Sequence, residues 1–288
     1  MTTDLKFSVI TIVKGRALHL QNLLQGIEKS SLKPTEVVIV SIDEDPEISA
    51  FDKLPLNVFR INSEDGHLPI GKARNYGAKK ANNDHLIFLD VDCIPSSTFF
   101  EQILTQAISS KTLIMGTPRY LTRELPRNYK ADDLDKYSIH HPHRPQISGL
   151  QKTSDYMLFW SLTFYIPKNL FIKLEGFDER YTGYGAEDTD FALKLKHTPG
   201  YSFYLSEACV YHQQHPVYSP PVNKVDEIIK NAEIFYSKWN RWVMENWLKA
   251  FAEKDLINWS MDATSISKTG TVTDKLLEEC YKPNAPFM

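Results

Sequence analysis

His85-Leu86-Ile87-Phe88-Leu89-Asp90-Val91-Asp92-Cys93-Ile94-Pro95 decides the fold. His85 to Leu89 reads as a strand that stops at Asp90, where two carboxylates replace the apolar run. On its N-terminal side Phe7 to Val13 is a near-continuous apolar stretch, as expected for a strand covered on both faces. Ala17, Leu18, Leu20, Leu23, Leu24 and Ile27 then recur with helical period. Glu36 to Ile42 and Asn57 to Ile61 read as further strands and Ile70 to Ala81 as a helix. Strands alternating with amphipathic helices predict a parallel sheet, and ligands of such sheets bind beyond the carboxyl ends of the strands, where Asp90 and Asp92 stand.

Outward on the C-terminal side, a helix is expected over 97–109 and a strand near Leu113. Arg119 to Asp155, rich in Arg, His, Pro, Tyr and Asp, reads as a long irregular insertion. Tyr156 to Ile166 is aromatic and strand-like, and a short helix from Pro167 leads to a loop over Gly176 to Ala186. A helix begins at Glu187 and a strand covers Tyr201 to Tyr211. Val222 to Trp259 reads as helical and carries four of the five tryptophans, which are expected to pack against the sheet. The residues after Asp262 read as a weakly ordered tail.

The chain has 288 residues, of which 42% are hydrophobic and 24% charged, in line with an ordinary globular protein. Its 33 basic residues against 36 acidic ones, a net charge of -3, leave no broad electrostatic footprint for nucleic acid or an anionic membrane. Three widely separated cysteines argue for a reducing compartment, so a cytoplasmic location is expected. No signal-peptide pattern opens the chain, and no uncharged apolar run approaches transmembrane length.

Two carboxylates at i and i+2 after a strand suit a hard divalent cation that neutralises a diphosphate. Among the nineteen aspartates four such pairs occur, at 43/45, 90/92, 133/135 and 188/190. Chance alone gives about one, so only strand context singles out 90/92. Gly183-Tyr184-Gly185-Ala186-Glu187-Asp188-Thr189-Asp190-Phe191 places acidic residues in the first turn of a helix behind a glycine-framed loop. A well-capped helix would look the same, but a metal-diphosphate donor also needs a general base, and a carboxylate in this loop meets that need.

His212, ending the apolar strand, offers a further metal ligand, whereas Cys209 reads as a small buried hydrophobe. His140, His141 and His143 have no acidic partner at fixed spacing and are set aside as ligands. Lys72 and Arg74 at a helix start, with Asn75 beside them, suit an anion or a nucleobase carbonyl. Phe159, Trp160 and Tyr184 offer flat faces for a sugar, though core packing is the commoner use of such residues.

Together these elements resemble the GT-A nucleotide-sugar glycosyltransferases of family 2, with a C-terminal half similar to the β1,4-galactosyltransferase and chondroitin-polymerase type. The resemblance rests on residues 88–95, on Gly176-Phe177-Asp178-Glu179 with the stretch 183–191, and on Tyr211-His212-Gln213. It implies an α/β fold with a mixed, mainly parallel central sheet, flanking helices and a C-terminal helical extension. Residues 1–220 would be the transferase domain, with a nucleotide-sugar half over 1–116 and an acceptor half over 117–220. The extension would cover 221–262 and the tail 263–288.

It further implies Mn²⁺ (or Mg²⁺) held by Asp92 and His212, a UDP-sugar donor near Val13, Arg16, Lys72, Arg74, Asp90 and Val91, and Asp188 as base. Glu187 would bind the acceptor or the transferred sugar, and Trp160, Tyr184 and Gly185 the acceptor, a glycan or other hydroxyl compound. The family's paired aspartates at the end of the second strand are replaced by Ser41-Ile42-Asp43, so Asp43 stands in for them at the uridine. Bulky Phe159-Trp160-Ser161-Leu162-Thr163 replaces the usual small residues. A galactose-type sugar is favoured by the resemblance alone. A nucleotidyltransferase and a non-catalytic sugar- or nucleotide-binding module are the rival readings, the first weakened by the meagre Lys14-Gly15-Arg16 loop.

Overall fold

The computed structural model describes residues 5–63, 66–110, 112–126 and 128–286. Strand β1 (Phe7–Val13), helix α1 (Ala17–Lys29), β2 (Glu36–Ile42), β3 (Leu56–Ile61), α2 (Ile70–Lys80) and β4 (His85–Leu89) alternate as the sequence predicts. Next come β5 (Cys93–Pro95), α3 (Phe99–Ser110), β6 (Leu113–Leu121), α4 (Ala131–Lys136), β7 (Ser138–His140) and β8 (Leu150–Thr153). Then β9 (Thr163–Pro167), α5 (Lys168–Lys173), α6 (Glu187–Lys196) and β10 (Phe203–His212) complete a sheet of order β3-β2-β1-β4-β9-β6-β10-β5, with β7 added on β6 and β8 on β10. Strands β3, β2, β1, β4, β6 and β10 point one way, and β9 and β5 run against them. The sheet is mixed and mainly parallel in direction.

Two apolar layers explain the continuous runs. Val9, Val37, Ile39, Ile87 and Leu89 face a layer closed by α1 and α3. Ile10, Val38, Val40, Leu86 and Phe88 face the opposite layer, closed by α2, α5 and α6. A strand buried on both sides has no polar face to alternate with.

The sequence reading needs three corrections. The stretch 119–155 is not an irregular insertion: β6 runs on to Leu121, and α4, β7 and β8 lie within it. The two strands were hidden because they are three and four residues long and largely exposed, with polar side chains. The C-terminal tryptophans do not pack on the sheet. α7 (Val225–Trp239) and α8 (Glu245–Ala252) enclose a separate small core containing Trp242, Trp259, Ile228, Leu248 and Phe251. Finally, the tail beyond Asp262 carries defined elements. β12 (Ile257–Asn258) pairs with β13 (Ser267–Lys268), and after α9 (Asp274–Cys280), β14 (Tyr281–Lys282) pairs with β11 (Val217–Tyr218). Burial of Ile266 and Cys280 in that second core holds this stretch down. Among the described residues no helix is long and apolar enough to cross a membrane.

Candidate active site

β4 ends at Leu89, and the chain turns through Asp90 to Asp92 into β5, which pairs antiparallel with the end of β10 so that Cys93 lies opposite His212. That pairing carries a histidine from far along the chain to Asp92. The turn is fixed by Asp90 N donating to Leu162 O at 2.9 Å and Cys93 N to Asp90 O at 2.9 Å. Gln213, which is buried, locks it: its backbone N donates to Asp92 O at 2.7 Å and its Nε2 to Val91 O at 3.3 Å and His19 O at 3.0 Å. Its Oε1 accepts from Asn22 Nδ2 at 2.8 Å.

His212 Nε2 lies 3.6 Å and His215 Nε2 3.7 Å from the Asp92 carboxylate. The three ligand atoms stand within 4.8 Å of one another, the one such group among the described residues. One carboxylate with two imidazoles fits a borderline cation such as Mn²⁺ better than Mg²⁺, which prefers all-oxygen sets. Arg16 also pairs with Asp92. Burial pushes the Asp92 carboxyl up, but His212, Arg16, His215 and His19 overrule it and hold it well below the usual range. Burial and the Arg16 charge bring His215 down to about 4. His215 is the residue the sequence reading missed; its signal was the His-x-x-His spacing with His212 at a strand end. Asp90 does not join this group.

Asp90 instead faces Arg74. The Arg74 guanidinium is only 5% exposed and bridges Asp90 at 2.8 Å and Glu187 at 3.2 Å. It also lies 5.2 Å from the centre of the Phe177 ring. Burial and the Asp188 charge push Glu187 up to about 7 against the pull of Arg74. Burial likewise raises Asp188, against hydrogen bonds from Thr189 N at 2.6 Å and Thr189 Oγ1 at 3.3 Å, both to Oδ1. Arg74 feels Asp90, Glu187 and Asp188, while Asp90 feels Asp92 and His212. Arg74 thus links the turn at Asp90 to the first turn of α6.

The loop before α6 is shaped from outside the sheet. Gly183 and Gly185 have φ of +75° and +92°, and a Cβ at either would strike Glu227 or Met244. Asn231 of α7, 1% exposed, donates from Nδ2 to the carbonyls of Thr182 (3.1 Å), Tyr184 (3.2 Å) and Gly185 (3.0 Å). Asp190, fully buried, accepts from Trp239 Nε1 at 2.8 Å and Tyr181 OH at 3.3 Å, with Lys238 Nζ at 2.7 Å. It anchors α7 to α6. The Tyr184 ring packs on Trp247 of α8 with centroids 5.5 Å apart.

Val13 and Val91 bury their side chains in the core, so only their main chain faces outward. Asp43, at the end of β2, pairs with Lys14 at 2.5 Å and accepts from Ser63 N and Oγ at 2.7 and 2.6 Å. Lys72 stands in the first turn of α2. Trp160 lies under the Arg144 guanidinium, 3.9 Å from its ring centre, with the His141 ring edge-on at 4.9 Å. Tyr120 in turn touches both His141 and His212, at centroid distances of 5.5 and 5.0 Å.

Known proteins share this architecture. The sequence profile described as "Glycosyltransferase like family 2" matches residues 20–215. A curated relative, the "Uncharacterized glycosyltransferase YwdF" of Bacillus subtilis (strain 168), is 30% identical over 91 residues, 31% of this chain and 33% of its own length. Among solved structures, S. aureus TarS 1-349 superposes with a TM-score of 0.55 at 18% identity, covering 79% of this chain and 64% of that one. GalNAc-T7 with UDP, GalNAc and Mn²⁺ gives 0.54 at 16% identity, covering 87% and 54%. The chain thus spans about a third of the curated relative and under two thirds of either structure. At such identities the two structures speak to the fold alone, which is that of the GT-A transferases, while the profile covers well over half of the chain. The chain belongs to the family of glycosyltransferases like family 2.

Proposed function

We propose that the protein is a metal-dependent inverting glycosyltransferase that moves a hexose from a UDP-sugar to a hydroxyl of a glycan or similar acceptor. The observation that carries this reading is the convergence of Asp92, His212 and His215 on one point beside the Asp90–Arg74–Glu187 bridge. Residues 1–220 would form the transferase unit and 221–286 its support. The S. aureus TarS fragment has been solved with UDP-GlcNAc, and GalNAc-T7 with UDP, GalNAc and Mn²⁺, which supports a UDP-sugar donor and a cation of that type here.

Asp92, His212 and His215 would hold the cation, which when bound neutralises charge gathering on the departing UDP. Arg16 would exchange its pairing with Asp92 for the diphosphate, a match of guanidinium to phosphate. Arg74, held between two carboxylates, would orient Asp90 towards the donor and Glu187 towards the sugar. Asp188 Oδ1 is taken by Thr189, and its Oδ2 would accept the proton of the incoming hydroxyl during in-line attack. Lys14 and Asp43, at the ends of β1 and β2, would meet the uracil ring. A galactose-type sugar is retained from the sequence resemblance.

Calorimetric titration of UDP with and without Mn²⁺ tests the reading. Wild type is expected to bind UDP at least tenfold more tightly with Mn²⁺, and Asp92→Ala to lose that gain. Equal affinity in both conditions contradicts the metal site.

A further inference from the structure

Arg144 lies between β7 and β8, in the stretch that reads as irregular in the sequence. Its guanidinium covers one face of Trp160, with Cζ 3.9 Å from the ring centre. Nη1 donates to Leu158 O, Nη2 contacts Met115 Sδ at 2.8 Å, and Nε is buried without a partner. Arg16 and Arg74 each pair with carboxylates, whereas among the described residues no carboxylate lies within ion-pair distance of Arg144. Burial brings it down to about 10, so it stays cationic at neutral pH, and the carboxylate whose charge reaches it is Asp188.

A largely desolvated cation with an idle donor is costly unless an anion completes it. The diphosphate does not belong at this place: Asp92 is paired with Arg16, His212 and His215, whereas Arg144 is anchored on Leu158 O, next to Phe159, whose ring packs 5.9 Å from that of Phe191 on α6. The acceptor does, since Asp188 is the group that its hydroxyl must reach. An acidic acceptor would otherwise be repelled by Asp188, Glu187 and Asp90, and a guanidinium on the acceptor side offsets that repulsion.

We propose that Arg144 selects the acceptor, receiving an oxyanion, carboxylate or phosphate, carried by the molecule whose hydroxyl is presented to Asp188. This rests on the transferase reading above. It also changes the part expected of Trp160, whose covered face serves as a platform for Arg144 instead of a sugar.

The test uses the full chain loaded with Mn²⁺ and UDP, titrated with methyl β-D-glucuronide against methyl β-D-glucoside and with glycerol 1-phosphate against glycerol. At least one anionic probe is expected to bind about tenfold or more tightly than its neutral partner, the value of a charge-assisted hydrogen bond. Which pair shows the preference identifies a uronate or a phosphate. Arg144→Met should abolish it and Arg144→Lys retain part of it, with UDP affinity unchanged in both. Equal binding of anionic and neutral probes, no binding of any, or a preference that survives in Arg144→Met overturns the proposal. Failure of wild type to bind UDP with Mn²⁺ would instead remove the transferase reading on which it rests, and the proposal with it.

Discussion

Two neighbouring carboxylates on α6, Glu187 and Asp188, differ in what surrounds them, and the roles proposed for them differ accordingly. Glu187 is paired with Arg74, while Asp188 keeps Oδ2 clear of its Thr189 hydrogen bonds. Asp188→Asn is therefore expected to keep UDP binding and to lose about 10²-fold or more in kcat, the usual worth of a general base. Turnover near wild type would remove Asp188 from that role. Glu187 makes a separate prediction through its proton. Its carboxyl titrates near about 7 in place of 4.5, so the native state holds the proton more tightly than the unfolded chain. Its contribution to stability is present below pH 4.5 and is lost as the pH rises through about 7. His215 is lowered to about 4 and slopes the other way. The Tm of Glu187→Gln minus that of wild type cancels His215 and is expected to grow between pH 4.5 and about 7. A flat difference would show that Glu187 does not carry the shift. Asp188 and Glu187 were legible because they follow a glycine-framed loop. Arg144 was not, since nothing in its sequence neighbours shows that Trp160 and Leu158 will strip it of water.

Among elements, α7 does most to hold the loop before α6. Asn231 ties three of its carbonyls, and the positive φ at 183 and 185, with Glu227 and Met244 crowding the Cβ positions, favours glycine there. Asn231→Ala is expected to cost about 1–3 kcal/mol of stability and to lower kcat more than it weakens Mn²⁺-dependent UDP binding, because the loop carries Asp188 and not the cation. Equal losses in both would make Asn231 a general stabiliser. The strands of the first half were readable because burial on both faces writes itself as an unbroken apolar run, as in Val37 to Val40. The amphipathic period of α7 was readable too, but not its partner: a polar residue on the buried face gives no sign that it serves a loop some 45 residues earlier. β7 and β8 escaped for the opposite reason, being edge pieces with too few buried residues to leave a pattern.

The whole molecule consists of a layered α/β body and a second small core from α7 onward, joined through Asp190, Asn231 and the packing of Phe235 and Val243 on Tyr181, Ala186 and Leu193. The body brings the strand ends together, and the second core holds the loop over them. Sequence alone located the strand ends and two of the three side chains that converge there. The antiparallel pairing of β5 with β10, which seats His212 and then His215 beside Asp92, is a long-range register that no local pattern states. The most direct measurement is anomalous diffraction from crystals grown with Mn²⁺ and UDP. One strong peak is expected within coordination distance of the Asp92 carboxylate, His212 Nε2 and His215 Nε2, with the UDP phosphates against it. No peak there at saturating Mn²⁺, or a peak held by other residues, would contradict the account.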